Sequence, residues 1–178
     1  VIWRGPMLHS VIQQFIRNVE WGELDYLVVD LPPGTGDVQL TLLQTVPITG
    51  AVVVTTPSDV ALEDGRKAIQ MFVQVKADVL GVVENMSYFV CPHCGERVEV
   101  FGHGGGERMA QTYGVPFLGH VPLDADIRVG GDTGAPVVAR GPEAPQGRAF
   151  YELAGAVAAR VAALQAAEPS EPVVRIRD

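Results

Sequence analysis

The chain has 178 residues, 47% apolar and 19% charged, which is one domain's worth of ordinary globular composition with a single core. A net charge of −8, with the 13 Lys and Arg scattered rather than clustered, argues against a nucleic-acid partner. No apolar run reaches the ~20 residues that span a bilayer, and the start lacks the basic-then-apolar order of a signal peptide, so the expectation is a cytoplasmic protein without a membrane partner.

In chain order, residues 1–3 read as a strand end closed by Gly5, and Arg4 as either a phosphate or carboxylate contact or a plain surface arginine. Pro6 suits the first position of a helix, and an apolar stripe from Met7/Leu8 through Val11/Ile12 and Phe15/Ile16 to Val19 predicts one over residues 6–19. Residues 26–29, Y-L-V-V, read as a buried parallel strand that ends on a carboxylate, Asp30. The loop that follows, L-P-P-G-T-G, combines fixed φ at its prolines with free φ at Gly34 and Gly36. Ligands of α/β proteins sit just beyond the carboxyl ends of strands. A carboxylate there, followed by a glycine able to approach a phosphate, suits hydrated Mg²⁺ beside a nucleotide, and it equally suits a turn capped by Asp30.

A short helix is expected over 38–46, a second strand over 51–56, and a helix from Thr56-Pro57-Ser58-Asp59 to about Val75, with Thr56 as its cap and Leu62, Ile69, Phe72 and Val73 facing inward. A third strand over 79–85 ends on Asn85, whose amide both donates and accepts, as the edge of an adenine ring requires or as a self-satisfied turn residue would. The run G-H-G-G-G-E at 102–107 is not followed by Lys-Ser/Thr and reads as a flexible lead into a helix over 107–113. A fourth strand is expected over 115–121, then Pro122-Leu123-Asp124, with Asp124 able to cap a helix from Ala125. Residues 130–145 read as loop. A closing helix over 146–165 presents Phe150, Leu153, Val157, Val161 and Leu164 on one face, and residues 167–178 read as a tail. Apolar strands alternating with amphipathic helices are the pattern of a mainly parallel sheet in an α/β fold, here read as one domain over 1–166.

Only two cysteines occur, Cys91 and Cys94, in F-V-C-P-H-C-G, a C-x-x-C knuckle with a hairpin return over 98–102. That spacing favours metal or redox use over a structural disulfide. Two thiolates leave a tetrahedral zinc or a cubane cluster two ligands short, and a two-fold partner supplying the same pair would close the count. Zinc held between two chains, a redox dithiol and a bridging [4Fe–4S] cluster all fit the residues alone.

The string D-L-P-P-G-T-G-D at 30–37, with W-R-G-P-M at 3–7, V-E-N-M-S at 83–87 and F-V-C-P-H-C-G at 89–95, resembles the Mrp/ApbC family of P-loop ATPases that carry iron–sulfur clusters. The likeness covers about residues 1–163. It implies a P-loop NTPase-like three-layer α/β/α sandwich and a homodimer with a bridging [4Fe–4S] cluster on Cys91 and Cys94, delivered to apo iron–sulfur proteins. It also implies ATP and Mg²⁺, with Asp30 holding the metal through water and Gly34 at the terminal phosphate. Asp37 would set the attacking water or the switch geometry, Asn85 would read adenine, and Pro122 and Asp124 would lie along the base. The pattern G-x-x-x-x-G-K-[ST] is absent and the chain starts V-I-W-R-G, so the resemblance places the phosphate-binding loop and its strand upstream of Val1, in a longer protein without which this segment hydrolyses ATP poorly. Two other readings share some of these features. A positioning ATPase of the chromosome- or septum-partitioning kind gives the C-x-x-C no role, and a zinc-bridged structural dimer gives none to residues 30–37, which resemble the family's switch loop.

Overall fold

The computed structural model describes residues 5–167 except Pro33 and Thr35; of 5–9 and Asp37 it describes the backbone only. The strand end at 1–3, Arg4 and the tail from 168 onward lie outside the described residues. Two compact units meet in sequence between Leu123 and Asp124.

The first unit is built on a parallel three-stranded sheet in the order β1 (Ala51–Thr55), β2 (Val79–Glu84) and β5 (Phe117–His120). The register sets Thr55 opposite Glu84 and Glu84 opposite His120, so the three strands finish level. In the central β2, every residue from Leu80 to Glu84 is buried, as expected of a strand covered on both faces. In β1, Val53 and Thr55 are buried while Val52 and Val54 are exposed. Helices α3 (Asp59–Gln74) and α4 (Gly105–Tyr113) flank the sheet, and Leu62, Ile69, Met71, Phe72, Met109 and Ala110 close over Val53 and Val82. Burying a Leu, Ile or Phe side chain in such a cluster contributes about 1.5–3 kcal/mol, so this cluster dominates the unit's stability. Helices α1 (Gly5–Asn18) and α2 (Asp37–Thr45) pack on one another, and Leu40 and Leu43 of α2 reach the core cluster.

Four expectations are corrected here. Residues 26–29 form no strand: Tyr26, Leu27, Val28 and Val29 are exposed, Val28 at 90%. A strand persists only where a neighbour takes its N–H and C=O groups, and no described strand pairs with this run. Ser58 rather than Thr56 stands at the N-cap position of α3, with no side-chain cap bond, and Val73 is 61% exposed while Met71 is buried. The hairpin's return strand is β4 (Arg97–Val98), paired with β3 (Phe89–Val90), not 98–102.

The glycine run is a packed helix start rather than a flexible lead. Gly104 takes φ 64° ahead of α4, and Gly105 and Gly106 are buried in its first turn. A Cβ on Gly105 would lie 2.8 Å from the Pro57 carbonyl oxygen and 2.7 Å from Leu62 Cδ1, so only glycine lets α4 dock against the turn after β1.

The second unit runs from the capped helix α5 (Ala125–Thr133) through a 3₁₀ turn, Val137–Arg140, to α6 (Pro145–Ala167), so the stretch read as loop is largely helical. In α6, Phe150, Leu153, Val157, Val161 and Leu164 are the buried or half-buried face. Among the described residues no helix is long and apolar enough to cross a membrane.

Candidate functional site

The carboxyl edge of the sheet gathers three turns, those after Thr55, Glu84 and His120. The second and third are laced together by backbone bonds. Val121 N–H donates to Glu84 O at 2.9 Å, Ser87 N–H to Val121 O at 3.0 Å, and Leu123 N–H to Tyr88 O at 2.7 Å. Asn85 and Pro122 therefore sit on neighbouring turns of one rigid edge. Asn85 N–H continues the ladder to Thr55 O at 2.7 Å, and its side-chain oxygen accepts from Met86 N–H at 2.9 Å, holding Met86 at φ 54°. One half of the amide is thus spent on the local turn. Asp124 is likewise engaged within its own unit: Oδ1 accepts from Asp126 N–H at 2.7 Å, and Oδ2 accepts from Gln146 Nε2 at 3.2 Å.

Asp30 is exposed at the mouth of the proline–glycine loop. Gly34 adopts φ 99°, and a Cβ there would meet nothing within 4 Å, so its backbone is open to close approach by a phosphate. An exposed carboxylate beside such a glycine has the donor chemistry a hydrated Mg²⁺ and a phosphate require. Asp37 opens α2 after Gly36; its side chain is outside the described residues. The loop's shape is held from within α2: Gln39, buried, donates from Nε2 to Pro32 O at 2.7 Å and to Gly34 O at 2.9 Å.

Cys91 and Cys94 are free thiols on the turn of the β3–β4 hairpin, Cys91 half-buried and Cys94 exposed. Cys91 N–H donates to Glu96 O and Gly95 N–H to Cys91 O, both at 2.9 Å, with Gly95 in the left-handed region. This tight turn aims donors at one sulfur. The backbone N–H of Cys94, then that of His93, then the Cys94 thiol, hold the Cys91 thiol below its ordinary range despite some desolvation. A thiol poised toward thiolate is a ready metal ligand. Among the described residues no group of three or more His, Cys, Asp or Glu side chains converges on a metal position, so His93 does not complete a site with the pair. Val90, Val98, Val100 and Phe101 leave an exposed apolar surface on the same hairpin and the segment after it, and the Arg97 guanidinium lies 4.0 Å over the Tyr88 ring.

The profile described as the NUBPL iron-transfer P-loop NTPase of the ParA group matches residues 1–158. The chain belongs to this family. Among NUBPL-type relatives, the iron-sulfur cluster carrier protein of Deinococcus radiodurans is 54% identical over 161 residues, which is 90% of this chain and 45% of that protein. The iron-sulfur cluster transfer protein NUBPL of Dictyostelium discoideum is 48% identical over 86% of this chain and 47% of its own length. The chain thus spans about half the length of the curated relatives it matches. A nucleotide-binding protein from Archaeoglobus fulgidus, solved with ADP and cobalt, superposes with a TM-score of 0.63 at 45% identity, covering 72% of this chain and 53% of that one. The cell division ATPase MinD of Pyrococcus furiosus superposes with a TM-score of 0.62 at 24% identity over 88% of this chain and 59% of that one, which shows the shared P-loop NTPase fold.

Sequence reasoning overlooked Gln39, Glu84, Ser87 and His120 in this member of the family. The signal for Glu84 was its position: a charged residue closing the apolar run V-L-G-V-V of a central strand has to be either exposed or fully partnered.

Proposed function

We propose that this NUBPL-type chain is the cluster-bearing part of an ATP-dependent iron–sulfur cluster carrier of the cytoplasm, which holds a [4Fe–4S] cluster between two copies and passes it to apo iron–sulfur proteins. The observation that carries this reading is the exposed C-x-x-C turn. It offers two thiols, one of them biased toward thiolate, and no third ligand gathers beside them among the described residues. A second copy brings the same pair, and the apolar surface of Val90, Val98, Val100 and Phe101 beside the thiols suits burial against that copy. Exposure of the turn also suits a cargo that must leave again by ligand exchange with an acceptor's cysteines.

Bound ATP·Mg²⁺ supplies the energy of phosphoryl transfer. Asp30 would hold the metal through water, Gly34 would admit the terminal phosphate and Asp37 would orient the attacking water, while Asn85 would read the base with Pro122 and Asp124 as outer contacts. Gln39 keeps the Gly34 segment in the shape this requires. The ADP in the Archaeoglobus fulgidus relative and the names of the two carriers support assigning a nucleotide and a cluster to this chain. Neither a zinc-bridged dimer nor a positioning ATPase accounts for the switch loop and the cysteine turn together.

The test is transfer. The full-length protein, reconstituted anaerobically with iron and sulfide, is mixed with a cluster-free ferredoxin. The expected result is appearance of the ferredoxin's own spectrum and activity at a rate that a chelator competing for free iron does not suppress. Iron uptake with no transfer, or transfer fully abolished by the chelator, would defeat the carrier reading.

A further inference from the structure

The proposed carrier leaves one buried carboxylate without a role. Glu84 is fully buried at the carboxyl end of β2. Its Oε1 accepts from Ser87 Oγ at 2.6 Å and its Oε2 accepts from the Gly106 N–H at 2.6 Å. Ser87 is also fully buried, and its Oγ lies 2.9 Å from His120 Nδ1. A serine hydroxyl has one hydrogen, here given to Glu84, so toward His120 it accepts, and Nδ1 is the ring nitrogen that carries the proton. These are the residue types of a hydrolytic triad in the wrong order. The serine is bonded to the carboxylate and closed off from any substrate, so nucleophilic catalysis is excluded.

What the network joins is more telling than its composition. Glu84 immediately precedes Asn85, and Ser87 and His120 anchor the turns that carry Asn85 and Pro122. The cysteine hairpin leaves this same edge at Tyr88, whose carbonyl is tied to Leu123, and the chain returns to it at Gly106 in the first turn of α4. Between hairpin and helix, the Arg108 Nη1 bond to His103 O at 2.7 Å and the left-handed Gly104 fix the path. A Cβ on Gly106 would stand 3.1 Å from Glu84 Cβ and 3.2 Å from Oε2, so the glycine is what lets the carboxylate reach the backbone. Both ends of the hairpin are therefore pinned by one carboxylate network.

We infer that Glu84 is a positioning residue that makes the cysteine hairpin and the nucleobase-side turns move as one body, and so transmits nucleotide state to the bound cluster. The inference rests on the carrier reading above. A shift of the hairpin away from the Asn85 turn would strip a buried carboxylate of a backbone donor, which a low-dielectric interior penalises heavily. Partial movement is disfavoured, and the two sites change together.

The experiment measures cluster loss to a chelator from the anaerobically reconstituted full-length protein, with and without ATP·Mg²⁺. The wild type is expected to change its loss rate by about fivefold or more on adding nucleotide, the lower range of common couplings. Glu84→Met keeps the bulk but carries no accepting oxygen, so the bonds from Gly106 and Ser87 are both lost. This variant should load iron as the wild type does and show a nucleotide effect near unity, a readout that a merely structural role would not move. Ser87→Ala, which deletes one hydroxyl, should reduce the effect in the same direction and decides the matter if Glu84→Met does not fold. A nucleotide effect of wild-type size in the folded variants overturns the inference, as does its absence from an iron-loaded wild type. Failure of the wild type to take up iron would instead defeat the carrier reading itself.

Discussion

Replacing Cys91 and Cys94 together by serine is expected to abolish cluster assembly, with iron retained after anaerobic reconstitution falling to about a tenth of the wild-type amount or less. A serine hydroxyl stays protonated at neutral pH, where the Cys91 thiol is biased toward thiolate by the backbone N–H groups of Cys94 and His93. In a site shared by two copies, the double substitution removes every protein ligand at once. The fold should survive, because one thiol is half-buried and the other exposed, and substitutions at such surface positions usually change stability within about ±0.5 kcal/mol. Iron analysis, visible absorption and circular dichroism on the same sample separate loss of ligation from loss of fold. Iron uptake persisting at the wild-type level would show that the C-x-x-C turn is not the cluster site.

The second large effect concerns Asp30. In the full-length protein, Asp30→Ala is expected to lower ATP turnover on the order of 10²-fold or more, the scale on which loss of one charge-stabilising group is felt in a transition state. Asp30 is exposed, so the loss should come without a matching fall in thermal stability. Steady-state hydrolysis over a range of Mg²⁺ concentrations checks it, since losing a residue that holds the metal through water should raise the Mg²⁺ requirement as well. Unchanged turnover would reduce Asp30 to a turn-capping residue and detach the proline–glycine loop from catalysis.

The parts of the fold that rest on local signals were legible in the sequence. β-branched runs marked β1 and β2, and apolar periodicity marked α3 and α6. Family membership was legible from four short motifs. The misreadings share one physical cause, dependence on what comes near from elsewhere in the chain. Residues 26–29 have the composition of a buried strand, yet strand formation needs a ladder partner, which composition does not encode. The run at 102–106 has the composition of a flexible loop, yet Gly105 and Gly106 are small because Pro57 and Glu84 press against them. The same holds for the candidate site. Cys91 and Cys94 are neighbours in sequence and announce themselves. Gln39 is recognisable only once its amide is seen to clasp two carbonyls, and the Glu84 network only once residues 84, 87, 106 and 120 meet.

The central claim is a cluster shared between two copies of this chain through one cysteine turn each. Native mass spectrometry of the anaerobically reconstituted full-length protein tests it most directly, because protein stoichiometry and metal content are read from one ion. The predicted species is two chains carrying one [4Fe–4S] cluster, absent when Cys91 and Cys94 are serine. A cluster carried by a single chain, or a dimer held by zinc with no iron, would contradict the account.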